Sequence, residues 1–447
     1  MKKLVMLILS MLMVFSIFSV AYATDLMNTP MLISAMDNSI KVQQDGTYID
    51  FTDANGNVVE PQIINNRTMV PFRKIFNSLG VTDDDITFIG ETRTVIAKKD
   101  DMTIELQIDN NIAKKTVSGE TTNITLDSAP VIVDNRTLVP VRFIAESMEK
   151  KVGWDQENRT VIIIDTNKLE EKLRNSIPKY FEIAELQTEK LDTFDITAGL
   201  NGEIDYTSKK TKENNSNVKL TGDIDMKKSE DAIYVGLDLA FSGKGVVYDE
   251  IKNSGIAKLD FELLLKGNKM YMKSSITDEQ TGGKWIVTED EEVKDLIEQF
   301  DTLMVESKAT DLLAFDENKM NISTYDQLLL TSELMKIFFS DDKIKISGKS
   351  TVKYEMEIDF FDLVEFLSNF GFDASTVDII KEAKIDIAGT VKNGVANTSS
   401  VKLEFEIEQD GENIDLDLSV DSKINAYNKT IKIDEPSANE TYPVENM

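Results

Sequence analysis

Two residue types are missing from this 447-residue chain: it has no cysteine and no histidine. Without cysteine there is no disulfide, no thiol nucleophile and no thiolate metal site. Without histidine there is no His-dependent triad, no imidazole general base and no imidazole site for copper or catalytic zinc. Positive charge is scarce as well, with 49 Lys and Arg against 79 Asp and Glu, a net charge of −30 and a pI near 4.5. Such a surface repels phosphate backbones and anionic bilayers, so nucleic acid is excluded as a partner. The plain meaning of the acidity is solubility; calcium or a cationic partner is the sharper alternative. Apolar residues are not lacking. At 41% of the chain they suffice for packed cores, and the length allows two or three domains.

One long apolar run stands at the start. Lys2 and Lys3 precede Leu4 to Val20, and Ala21-Tyr22-Ala23 supplies an A-x-A exit. This is the pattern of a secretory signal peptide cut after Ala23, and it places the chain outside the cytoplasm, secreted or at the cell surface. The run is also long enough to act as a retained anchor, so cleavage stays open. No cysteine follows it, which excludes lipoprotein acylation.

The stretch Asn66-Arg67-Thr68-Met69-Val70-Pro71-Phe72-Arg73 returns as Asn135-Arg136-Thr137-Leu138-Val139-Pro140-Val141-Arg142, 69 residues on. Each copy follows a short apolar strand, 61–64 or 130–133. Each leads into a helical stripe, Ile75, Phe76 and Leu79 in one, Ile144, Ala145 and Met148 in the other. Each ends in Arg-Thr-Val-Ile, at 93–96 and 159–162. We read an internal duplication over residues 24–165. Asn tolerates positive φ, so Asn65-Asn66 is a turn, and Pro71 suits the first position of a helix. Arg67, Arg73, Arg136 and Arg142 could clamp an anionic cell-wall polymer. The plainer expectation is that they bind strand-end carbonyls or carboxylates and, with Pro71 and Pro140, fix the strand-to-helix corner.

The run from Ala129 to Glu146, with Val152-Gly153-Trp154-Asp155 and Arg159-Thr160-Val161, resembles the copper amine oxidase N-terminal-like domain. That resemblance implies a domain that recurs in duplicate on secreted and surface proteins of Gram-positive bacteria. In the oxidases it is an accessory stalk away from the catalytic core. Oxidase activity does not come with it: their copper needs several imidazoles, and the chain has none. Their cofactor arises from a Tyr in an Asn-Tyr-Asp/Glu setting, whereas Tyr354 sits in Lys-Tyr-Glu. No cofactor or metal is expected.

Residues 166–190 read as a helical connector, interrupted by Pro178 near Ser176. Residues 191–434 alternate apolar and polar over long stretches. Tyr354, Met356, Ile358 and Phe360 oppose Glu355, Glu357 and Asp359; Val401, Leu403, Phe405 and Ile407 oppose Lys402, Glu404, Glu406 and Glu408. Such strands belong to antiparallel sheets with one wet face. Helices are expected over 289–303, 325–339, 361–370 and 375–383. Residues 435–447, with two prolines, read as a disordered tail. The fold class expected is α+β: a duplicated strand-helix-hairpin module, then a large antiparallel half-barrel with helices on its concave face. Gly283-Lys284-Trp285-Ile286-Val287 and Tyr427 to Pro436 give this half a further similarity, to LolA/LppX-like carriers of lipoproteins and lipids. If that similarity holds, it implies a cavity for an apolar ligand.

The function that follows is an exported, non-catalytic envelope protein. Its C-terminal half would hold a lipid or hydrophobic small molecule, and its N-terminal module would dock to a cell-wall polymer or surface protein. A structural or adhesive surface protein with no small ligand is the alternative. A hydrolase working with carboxylates alone is the second, since acids abound but no nucleophile motif does.

Overall fold

The computed structural model describes residues 39–52, 56–210, 215–297, 313, 315–362, 379–409 and 411–443. Ala21 and Ala23 of the expected leader lie outside the described residues, as do residues 298–303, 363–370 and 375–378 of the helices expected over 289–303, 361–370 and 375–383. What is described falls into two compact units: residues 39–173 with 313–333, and residues 174–297 with 334–443.

The first unit opens with β1 (Lys41–Gln44) and β2 (Thr47–Tyr48). Next come β3 (Gln62–Ile64), β4 (Arg67–Pro71) and α1 (Phe72–Ser78). A meander of β5 (Ile86–Ile89), β6 (Thr94–Lys99), β7 (Met102–Gln107), β8 (Ile112–Val117) and β9 (Glu120–Thr125) forms a 5-stranded sheet. Then β10 (Val131–Val133), β11 (Arg136–Pro140) and α2 (Val141–Ser147) restate β3, β4 and α1 at a spacing of 69 residues, bound for bound. β12 (Lys151–Asp155) and β13 (Thr160–Ile164) close the unit.

The turns repeat too. Asn65 and Asn66 have φ of 52° and 60°, and Asp134 and Asn135 have φ of 46° and 63°. Two consecutive left-handed residues make the two-residue hairpin turn that matches strand twist, and Asn and Asp are the side chains that tolerate it. The two hairpins join through their second strands: β11 pairs antiparallel with β4, Val139 opposite Val70. Met69, Val70, Leu138 and Val139 there have no exposed surface. Each such buried side chain contributes about 1.5–3 kcal/mol. Pro71 and Pro140 stand one residue earlier than the sequence predicts. They end the strand as N-caps with ψ of 120° and 115°, and the helices begin at Phe72 and Val141. Extended ψ there keeps the proline in the sheet register, opposite Leu138 or Met69, so the helix starts after it.

The same unit includes a segment from far along the chain. Leu313 is 5% exposed and Met320 3% exposed. The Ile322 amide donates to Asp155 Oδ2 at 3.1 Å, and Lys151 Nζ pairs with Glu317 at 2.7 Å. A Cβ on Gly153 would lie 2.4 Å from Met320 Cβ, so only glycine leaves room for it.

After β13, α3 (Thr166–Ser176) stops short of Ile177, and α4 (Pro178–Glu185) starts afresh with proline at its first turn, where the missing N–H is no loss. The second unit is built on a 12-stranded sheet. Its strands are β14 (Phe194–Ser208), β15 (Ser216–Lys228) and β16 (Ala232–Lys244), then, after α5 (Val246–Asn253), β17 (Lys258–Lys266), β18 (Lys269–Ser274) and β19 (Trp285–Glu289). After α6 (Thr324–Phe338) come β20 (Ile344–Ser347), β21 (Val352–Asp359), β22 (Ile380–Lys392), β23 (Val395–Gln409), β24 (Glu412–Tyr427) and β25 (Thr441–Pro443). The order is β20-β21-β22-β23-β24-β14-β15-β16-β17-β18-β19-β25. All pairings are antiparallel except β19 with β25.

Two expectations are corrected here. Residues 380–383 open β22 instead of ending a helix, because Ala383 and Ile385 take the inward positions of a strand opposite Phe405 and Leu403. Residues 435–443 are not a disordered tail. Glu440 and Ser437 form a capping box, and Thr441–Pro443 adds to the open edge of β19, whose main-chain groups need partners.

Candidate functional site

The pleat divides the large sheet into two faces, because side chains alternate and directly paired residues share a side. The apolar side carries Leu200, Leu220, Leu239 and Leu418, all nearly buried, and around them Leu237, Leu259, Leu403 and Val420, which are only half-buried. Both flanks of this face are covered. At one end α4 brings Tyr180 and Ile183 onto Ile344, Tyr354 and Met356, with Phe339 stacked on Tyr180 at 4.5 Å. Lys179 Nζ holds α4 there by donating to the carbonyls of Asp341 and Ile344 at 2.6 and 2.9 Å. At the other end Val293 and Ile297, in the helical turns 292–297, cover Ile233, Leu265 and Met270.

A trough of about 1000 Å³ crosses eight neighbouring strands, β21 to β24 and β14 to β17. It is lined by three consecutive cross-strand rows. The middle row runs through Tyr354, Gly389, Ser399, Ser422 and Ala198 to Phe261, and its side chains belong to the apolar face. The flanking rows belong to the polar face. One holds Lys353, Thr390, Thr398 and Lys423, then Thr197, Asp225, Gly236 and Glu262. The other holds Glu355, Ala388, Ser400 and Asp421, then Gly199, Asp223, Asp238 and Asp260. No residue of the apolar rows on either side lines the trough, so it lies on the polar face. It is a furrow with two walls of side chains and a floor of main chain.

Its two halves differ in chemistry. Over β21 to β24 stand two lysines and several hydroxyls, with Glu355 and Asp421 among them. Carboxylates stand over β15 to β17, where Asp223, Asp238 and Asp260 face one another on adjacent strands. Tyr234 closes that end. Its hydroxyl donates to Glu262 at 2.9 Å, and burial together with that carboxylate pushes the phenol far above its ordinary range. Among the described residues no cluster of three or more acids is arranged to hold a metal.

The arginines singled out in the sequence lie in the first unit, each engaged by its own fold. Arg67 meets Asp127 at 2.6 Å and the Asn66 carbonyl at 3.1 Å. Arg73 meets Asp83 at 2.9 Å and holds that carboxyl below its usual range, helped by Asn77. Arg136 donates to the Asn135 carbonyl at 3.3 Å. Arg142 donates to the Val152 carbonyl at 3.0 Å and to Glu146 at 3.3 Å. The furrow was not foreseen. Its signal was in the alternating acids of the strands, but which acids share a row depends on strand order.

The model of the family described as Copper amine oxidase N-terminal domain matches residues 52–163. No curated protein matches the chain. Among solved structures, lipovitellin in a study of lipid-protein interactions is 4% identical over 55% of this chain, with a TM-score of 0.22; the chain spans 26% of that one. A β-barrel-like protein of a domain of unknown function from Brucella abortus is 7% identical, over 53% of this chain and 100% of its own, with a TM-score of 0.14. A LolA superfamily protein from Nitrosomonas europaea is 10% identical, over 58% and 95%, with a TM-score of 0.12. Scores this low do not establish a shared fold. The stretch that this family model matches spans both hairpin-and-helix copies of the first unit.

Proposed function

We propose that this is an exported, non-catalytic binding protein that holds an apolar ligand, of lipid character, against the apolar face of its large sheet. The observation that carries the proposal is the uneven cover of that face. Helical residues cap both flanks, while Leu237, Phe261, Val401, Leu403 and Val420 between them remain partly exposed. Contiguous half-exposed apolar surface of this kind marks a place for a partner or ligand. The apolar leader supports export, and the first unit, made of two copies of one hairpin-and-helix element, would serve attachment to the envelope or a surface partner.

Native mass spectrometry of the full chain, purified without detergent, is expected to reveal co-purified lipid. Leu237→Asp and Val420→Asp are expected to abolish it and to lower uptake of a fluorescent fatty acid. A lipid-free mass, together with no fatty-acid uptake by the unaltered chain, overturns the reading.

A further inference from the structure

The apolar face of the large sheet is also nearly free of charge. Side chains alternate along each strand, so the pairing registers assign every strand residue to one face or the other. On the polar face acids and lysines stand side by side: Glu203 with Lys219, Asp386 with Lys384, Glu404 with Lys402. On the apolar face of the central strands β23, β24 and β14 to β17, among the described residues, only Lys228 and Glu412 are charged. They stand at opposite ends of it, Lys228 opposite Phe194 and Glu412 opposite Ser208 on β14. Lys228 is buried and turned onto the main chain, donating to the carbonyls of Asp192 at 2.7 Å and Ser229 at 3.5 Å. Glu412 is exposed and accepts from the Tyr206 hydroxyl.

Between these ends lies an uncharged strip. From Ser422 to Ile414 along β24 it runs about 27 Å, long enough for an extended long-chain acyl group. A phosphate or carboxylate pressed against it would lose its hydration with no cation to offset the cost. Away from the ends of the central strands, side-chain oxygen on this face is confined to one row. That row holds Ser399 on β23 and Ser422 on β24, both half-buried, with Tyr354 on β21 across Gly389 of β22. A Cβ on Gly389 would lie 2.4 Å from the Tyr354 hydroxyl, so this glycine lets the phenol lie over β22. Burial pushes the phenol up, and its hydrogen bond with Ser399 draws it the other way. Ser422 Oγ donates to the Ser399 carbonyl at 3.3 Å. All three are neutral hydroxyls, able to donate as well as accept.

We propose that the apolar face selects a lipid whose polar part is uncharged, of acylglycerol type. Its ester and hydroxyl oxygens lie at Ser399, Ser422 and Tyr354, and its acyl chains run along β23 and β24 toward Phe405 and Leu416. This rests on the reading that the face binds lipid at all, and adds the class of lipid.

Dioleoylglycerol and dioleoylphosphatidylglycerol share their acyl chains and differ in the charged phosphate. Both are added in equal amounts from ethanol to the full chain, and the adducts are weighed by native mass spectrometry. The diacylglycerol adduct is expected to exceed the phospholipid adduct about tenfold, because only the phospholipid brings a charge to an uncharged face. S399A/S422A is expected to weaken diacylglycerol binding about fivefold, as lost hydrogen bonds would. Uptake of hexadecane, which has no oxygen to meet, is expected to hold in that variant. Circular dichroism checks that the variant folds. A phospholipid adduct equal to or larger than the diacylglycerol adduct would overturn the proposal and leave lipid binding standing, as would equal loss of diacylglycerol and hexadecane in the variant. No adduct of either lipid would overturn the lipid-binding reading itself, and this inference with it.

Discussion

Asp165 shows how a single residue ties sequence to stability. Its carboxylate lies 2.6 Å from Lys150 and accepts from the Lys168 amide at 3.1 Å. Burial raises its pKa, but the Lys150 ammonium and that N–H outweigh burial and hold it below the ordinary carboxylate range. A carboxyl depressed on folding adds stability above its unfolded value near 4, and that stability is lost as pH falls through the folded value. Asp165→Asn is therefore expected to cost on the order of 1 kcal/mol at neutral pH. The difference from the unaltered chain should shrink toward zero in urea titrations taken below pH 4. A constant difference from pH 7 downward would refute the ionic origin. The residue itself was legible, but its partnership with Lys150 was not. They are 15 positions apart, and the pairing of β12 with β13, Lys151 opposite Ile164, brings the two together.

Among elements, the corner motif could be read except for its proline, which ends the strand instead of opening the helix. Asn-Arg-Thr-apolar-Val-Pro holds two left-handed turn residues, an extended strand and a proline that ends it, all local preferences. The segment 313–333 is the opposite case. Its packing on Gly153 and Asp155 joins residues more than 160 positions apart, and its own composition says nothing of a partner. Gly153→Val places a side chain where Met320 lies and is expected to destabilise the first unit by about 1–3 kcal/mol, through overpacking. Hydrogen exchange should then quicken at 315–325 and along β12. Unchanged exchange there would mean that the segment does not depend on the glycine. The long strands were likewise visible through alternation, whereas β25 was not. Its three residues carry no periodic pattern and are held by an edge that needed partners.

For the whole molecule, two compact units predict more than one unfolding step. Differential scanning calorimetry is expected to resolve two transitions, with Gly153→Val lowering one and leaving the other in place. A single transition moved as a whole by that substitution would mean that the units unfold together. Composition and local pattern alone determined the absence of thiol and imidazole chemistry, the repeat at 69 residues, the β-rich second half and the two-faced character of its strands. Each of these depends on residue identity or on preferences within a few positions. Tertiary structure decided that Glu412–Tyr427 lies against Phe194–Ser208, that 313–333 joins the first unit, and that acids from five separate strands line one furrow. Alternation tells which side a residue faces but is the same for every register and every neighbour. Strand order is chosen by the collective burial of the apolar face, a property of the assembled sheet and of no single stretch.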